Sequence, residues 1–169
     1  MKSISYNKLL NLIARGESGG NYNAYFGHAG NRKIVFADMT VGEVLAWQDE
    51  FVRRGSASSA VGRYQFINTT LRGLMEELSV GVSARFDAKL QDRFARQLVD
   101  QRGAADYVAG HISAEQFAHN LSQEWAALPR VLGDHPEASY YDGDGLNKAR
   151  IKVDKLLAAI HTLCHEMPR

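Results

Sequence analysis

The stretch LLNLIARGESGG occupies residues 9–20 and changes character in its middle. Leu9, Leu12 and Ile13, with Tyr6 one turn earlier, fall on one helical face, so residues 4–16 read as a helix. Gly16 and the pair Gly19–Gly20 predict its end. Between them stands Glu17, four residues after Ile13 and therefore on the same inward line. A carboxyl on that line is drawn out of water, which favours its protonated form, and the negative end of a helix dipole acts in the same direction. Such a group suits proton donation to a substrate. A solvated glutamate at a helix end satisfies the same spacing, so Glu17 needs support from elsewhere in the chain.

The bulk properties narrow the field without deciding it. With 169 residues the chain suits a single domain over 1–169, with room for two lobes around a substantial core. A formal net charge of +1, with 45% hydrophobic and 23% charged residues, gives no field that would steer it to nucleic acid or anionic lipid. The only cysteine, Cys164, rules out an internal disulfide. The opening residues, MKSISYNKLLNLIARGES, hold no apolar run long enough for a signal peptide or a membrane span. Action outside the cytoplasm would then need another carrier. A monomer without stable membrane insertion is the expected state.

Beyond Gly20, NYNAYFGHAGNRKIVFAD (21–38) places aromatic and β-branched residues around a glycine-rich turn and predicts a short β-hairpin. Thr40 and Glu43 have capping-box spacing ahead of Val44, Leu45, Trp47 and Phe51. Asn68 is placed to cap a helix through Leu71, Leu74 and Leu78, and Asp87 one through Leu90, Phe94 and Leu98 that ends at Gly103. Ser113 and Gln116 form a second capping box before Phe117, Leu121 and Trp125, with Pro129 as the stop. A last helix is expected after Asn147, with Ile151, Leu156 and Ile160 inward. These sum to about six helices and one small β element in the N-terminal third, a mostly α (α+β) chain. A helical fold of this kind names no function by itself.

The stretch SASSAVGRYQFINTT (56–70) is the second one with chemical content. Small residues and Gly62 allow backbone to approach a ligand closely. Tyr64 and Gln65 add an aromatic face, a hydroxyl and a carboxamide, a mixture that suits sugars. The plainer reading is a loop that feeds a strand-like RYQFI into the core. Two further clusters carry little. His161, Cys164 and His165 lie within a turn and a half at the chain's end, with no second pair to complete a metal site, and DGDG (142–145) lacks the glutamate that closes a calcium loop.

Taken in order, Glu17–Ser18, NYNAYFG (21–27), SSAVGRYQFINTTL (58–71), RGAADYVAGHI (102–112) and EWAALP (124–129) resemble the phage lambda-type endolysins, within the lysozyme-like lytic transglycosylases. Each motif alone is weak, whereas the ordered set spans roughly residues 7–160. The resemblance implies a lysozyme-like fold with a glycan cleft between lobes. It also implies cleavage of the β-1,4 bond between N-acetylmuramic acid and N-acetylglucosamine in peptidoglycan, used for bacterial lysis. By position, Glu17 would be the catalytic acid and base, and Ser18 would orient the substrate or the carboxyl. Tyr64 and Gln65 would line the groove, and Tyr141 would reach it from the C-terminal side. Asn23 stands where an aspartate is expected, and the loop 131–145 is longer than the family pattern.

A transglycosylase of this type needs no metal or cofactor. A hydrolytic lysozyme of the same fold needs a second carboxylate, for which Asp38 is the candidate to test. A non-catalytic glycan-binding module is the alternative from another class. The same resemblance implies release from the host cytoplasm through a holin-like pore, or carriage in a virion.

Overall fold

The computed structural model describes residues 2–166. Among the described residues there are seven α-helices: α1 (Asn7–Ser18), α2 (Val41–Arg53), α3 (Asn68–Glu77), α4 (Ala88–Gln101), α5 (Ala104–Val108), α6 (Ala114–Glu124) and α7 (Val153–His161). Two short strands, β1 (Lys2–Ile4) and β2 (Cys164–Glu166), pair antiparallel with Ile4 opposite Cys164. The expected mostly helical class is therefore the observed one, with α5 and the terminal strand pair added. The side chains of Cys164 and His165 lie outside the described residues.

The chain divides into two compact units, residues 1–16 with 96–169, and residues 17–95. In the first, α1 buries Leu9, Leu10, Ile13 and Ala14, and α6 and α7 pack together through faces that bury Phe117, Leu121, Leu156 and Ile160. Each of the leucine, isoleucine and phenylalanine side chains contributes about 1.5–3 kcal/mol by leaving water. Gly16 does not end α1, which runs on to Ser18. A Cβ at Gly16 would stand 3.0 Å from Ile151 Cγ1 and 3.1 Å from the Ala127 Cβ, so this glycine allows a close approach within the helix. Periodicity alone reads glycine as a break; here it is a packing residue.

The second unit is built on aromatic rings. Phe66 meets Phe86 and Phe94 edge-on at 6.1 Å, and Trp47 meets Phe36 edge-on at 4.7 Å. Thr40 caps α2 as expected: its hydroxyl accepts from the Glu43 N–H, and the Glu43 carboxylate accepts from the Thr40 N–H, both at 3.2 Å. Thr40→Ala removes one side of that exchange, and thermal unfolding should show a loss of about 1 kcal/mol.

Residues 21–38 do not form a hairpin. They contain one isolated bridge, Tyr25 to His28, and a 3-10 turn at Phe36–Asp38. Three asparagine side chains take the backbone groups a ladder would use. Asn21 Nδ2 donates to the Ala29 and Asn31 carbonyls, and Asn31 Nδ2 to those of Asn23 and Ile34. Asn23 Oδ1 accepts from the Ala37 N–H at 3.0 Å. Local side-chain bonds of this kind outcompete strand pairing.

The other caps divide. Asp87 Oδ1 accepts from the Leu90 N–H at 3.0 Å, as expected for α4. Asn68 lies inside α3, one residue after the N-cap Ile67. Its own N–H is received by the Ser59 hydroxyl at 3.0 Å, and its amide reaches Asp49. Ser113 accepts from the Gln116 N–H, but the Gln116 amide turns to Asn120 rather than back to the cap. The last helix begins at Val153; before it, Asp144 Oδ1 gathers the N–H groups of Leu146 and Asn147 into a tight turn.

Candidate active site

Glu17 lies in the last turn of α1 and is half-buried. The next residue, Ser18, is 2% exposed: its hydroxyl donates to the Arg63 carbonyl at 2.6 Å and accepts from the Gly20 N–H at 3.2 Å. One peptide separates the two α-carbons, about 3.8 Å. The backbone that carries the Glu17 carboxyl is thus tied to residue 63, within the second stretch singled out in the sequence. Those two stretches come together here.

Residues 61–66 form a tight turn closed by a bridge between Val61 and Phe66. The expected strand-like RYQFI is reduced to that bridge, because Gly62 (φ +90°) and Gln65 (φ +54°) both adopt left-handed backbone. Inward-facing amides hold the turn. Gln48, on α2, donates to the carbonyls of Ser59 and Phe66, both at 2.9 Å. Gln91, on α4, accepts from the Arg63 N–H at 2.9 Å and donates to the Phe86 and Tyr22 carbonyls. A non-glycine residue in left-handed backbone, held by so many contacts, marks a segment whose shape is over-determined.

The Tyr64 ring is 1% exposed and packs towards Phe66, so it presents no aromatic face to a ligand. Left-handed Gly62 and Gln65 break the alternation of a strand, so spacing alone does not reveal that this ring faces the core. Its hydroxyl donates to Asp92 Oδ1 at 2.7 Å and accepts from Arg63 Nη1 at 2.7 Å. Tyr22 donates to the same carboxylate at 2.9 and 3.1 Å. The Arg63 guanidinium lies 5.1 Å from the Tyr22 ring centroid and 5.4 Å from that of Tyr64. Burial first, then the hydrogen bond to Asp92, raises both tyrosines above the ordinary phenol range, so both hydroxyls remain donors. Sequence reasoning missed Asp92, Gln91 and Tyr22, since nothing within one turn of Asp92 announces a phenol partner.

Gln65 is half-exposed; its Nε2 donates to the Gly62 carbonyl at 2.9 Å, so the amide has its Oε1 to offer as an acceptor. Asp38 is exposed at the end of its 3-10 turn. Tyr141 belongs to the first unit, where its ring is 39% exposed and its hydroxyl donates to the Gln123 carbonyl. No group of three or more His, Cys, Asp or Glu with the geometry to hold a metal occurs among the described residues. Nor is any described helix long and apolar enough to cross a membrane.

A family model described as Endolysin matches residues 7–148, a span that contains Glu17, the 61–66 turn and Asp92. Neither the search of curated proteins nor that of solved structures returned a match.

Proposed function

The chain belongs to the endolysin family, the phage enzymes that degrade bacterial cell walls, and from that premise we propose a muramidase of the lytic transglycosylase type. It cuts the β-1,4 bond between N-acetylmuramic acid and N-acetylglucosamine. The observation that carries this reading is the setting of Glu17, half-buried in the last turn of α1 beside a serine bonded to Arg63. A single carboxyl suffices for the reaction. The protonated acid donates to the glycosidic oxygen as that bond breaks, and the substrate's N-acetyl oxygen stabilises the cation at the muramic anomeric carbon. The carboxylate then takes the proton of the muramic C6 hydroxyl, whose oxygen closes on that carbon to give a 1,6-anhydro ring. The nucleophile is tethered to its target, which supplies the high effective concentration an outside water lacks.

Ser18 positions the carboxyl rather than the sugar: it is 2% exposed, and its only hydroxyl proton goes to the Arg63 carbonyl. Gln65 Oε1 receives a donor from the glycan, such as an acetamido N–H or a ring hydroxyl. A hydrolytic version would recruit Asp38, the only acid singled out for that role. Passage to the cell wall by way of a holin-like pore fits a chain with no described span.

The products decide between the two chemistries. Purified protein acting on peptidoglycan should release muropeptides one water lighter than hydrolysis products, with no free reducing end. Mass spectrometry of the soluble fraction reads this directly. Hydrated muramic termini alone would replace the transglycosylase reading with the hydrolytic one.

A further inference from the structure

We propose that Asp92 is a positioning residue for the Glu17 chemistry, acting through the Arg63–Tyr64 peptide whose oxygen receives Ser18. This rests on the reading of Glu17 as the acid and base.

That peptide is gripped from two adjacent positions of α4. Gln91 holds the main chain on its N-terminal side, accepting from the Arg63 N–H at 2.9 Å. Asp92 holds its side chains. Its carboxylate accepts from the Tyr64 hydroxyl at 2.7 Å and lies 3.9 Å from the Arg63 guanidinium, which itself donates to that hydroxyl. The Arg63 side chain is 17% exposed and that of Asp92 35%, so the pair is partly screened from solvent. Tyr22 adds a further hydroxyl to the carboxylate. The flanks of the 63–64 peptide therefore converge on one acceptor, and the oxygen between them is the one Ser18 meets at 2.6 Å.

A general stability role would not require this arrangement. Gln48, Gln91 and the bond from the Gly62 N–H to the Ala24 carbonyl already close the turn without Asp92. What Asp92 adds is the orientation of residues 63 and 64, and hence of the acceptor that fixes Ser18 next to Glu17. Small displacements of a reacting group cost rate far more than binding.

The test uses soluble muramyl glycan fragments and four variants: Asp92→Asn, Ser18→Ala, the double variant, and Glu17→Gln as the reference for dead enzyme. Asp92→Asn should lower kcat about tenfold with KM held within about twofold, since alignment and not substrate binding is lost. In the Ser18→Ala background the same change should cost less than about twofold, because both act through one hydrogen bond. Should Asp92→Asn fold poorly, Tyr64→Phe keeps the ring, deletes the hydroxyl and is expected to lower kcat in the same way. A fall in Tm with kcat intact, or effects that multiply in the double variant, overturns the inference. A Glu17→Gln variant with wild-type rate sinks the proposed function and this inference with it. A dead Glu17→Gln beside a fully active Asp92→Asn sinks the inference alone.

Discussion

Glu17→Gln should abolish cell-wall lysis while leaving the protein folded. The carboxamide keeps the size of the side chain but has no proton to give to a glycosidic oxygen and cannot take one from the C6 hydroxyl. General acid–base assistance is worth about 10²–10⁴ in rate, and in the proposed mechanism one group serves both steps, so the upper part of that range is expected. Stability should move the other way. Glu17 sits in the last turn of α1, where a negative charge meets the negative end of the helix dipole. Neutralising it should leave Tm unchanged or raised, by up to about 1 kcal/mol of stabilisation. Turbidity clearance of purified cell walls and a melting curve on the same sample measure both halves. A glycan-binding module would keep its affinity and had no lysis to lose, so an unchanged clearance rate removes Glu17 from the mechanism.

How much of this was legible in the sequence follows from the range of each interaction. Thr40 with Glu43 and Asp87 with Leu90 act over three residues, and spacing alone locates them. Glu17 was legible for a similar reason, as the continuation of the face carrying Leu9 and Ile13. Gly16 was misread because its reason for being glycine lies at Ala127 and Ile151, far along the chain. The asparagines at 21, 23 and 31 look like turn formers, and they are, but only coordinates reveal which carbonyls and N–H groups of the segment they take from a hairpin ladder. Tyr64 and Asp92 are 28 residues apart, and α3 intervenes between them. Helical periodicity marks Phe94 and Leu98 as inward on α4 but says nothing of which loop the neighbouring Asp92 will meet. The half-buried place of Glu17 was readable from spacing; the contacts that hold residues 61–66 were not.

Gly62→Ala should be the most costly small substitution in the second unit. Gly62 adopts φ +90°, a conformation that costs an L-residue about 1–2 kcal/mol. Space compounds the strain. A Cβ at this position would stand 2.6 Å from Gln91 Oε1 and 3.3 Å from Phe86 Cε1. Gln91 cannot swing aside cheaply: it is 0% exposed, its Oε1 accepts from Arg63, and its Nε2 donates to Phe86 and Tyr22. Forcing an atom into such a contact costs about 1–3 kcal/mol, so the total should be about 2–5 kcal/mol, or about 10 °C in Tm for a chain of this length. Gly19→Ala separates the two causes. Gly19 also has positive φ, +65°, but nothing lies within 4 Å of a Cβ there, so it should show only the backbone part. The comparison also reaches function, because relief of the clash must pull on Gln91 and through it on the Arg63 N–H. A Gly62→Ala protein that refolds should therefore lose kcat as well as stability, whereas Gly19→Ala lacks that route to Arg63. Equal denaturation midpoints for the two variants would mean that Gln91 does not press on the turn, and the rigid hold on residue 63 would have to be given up.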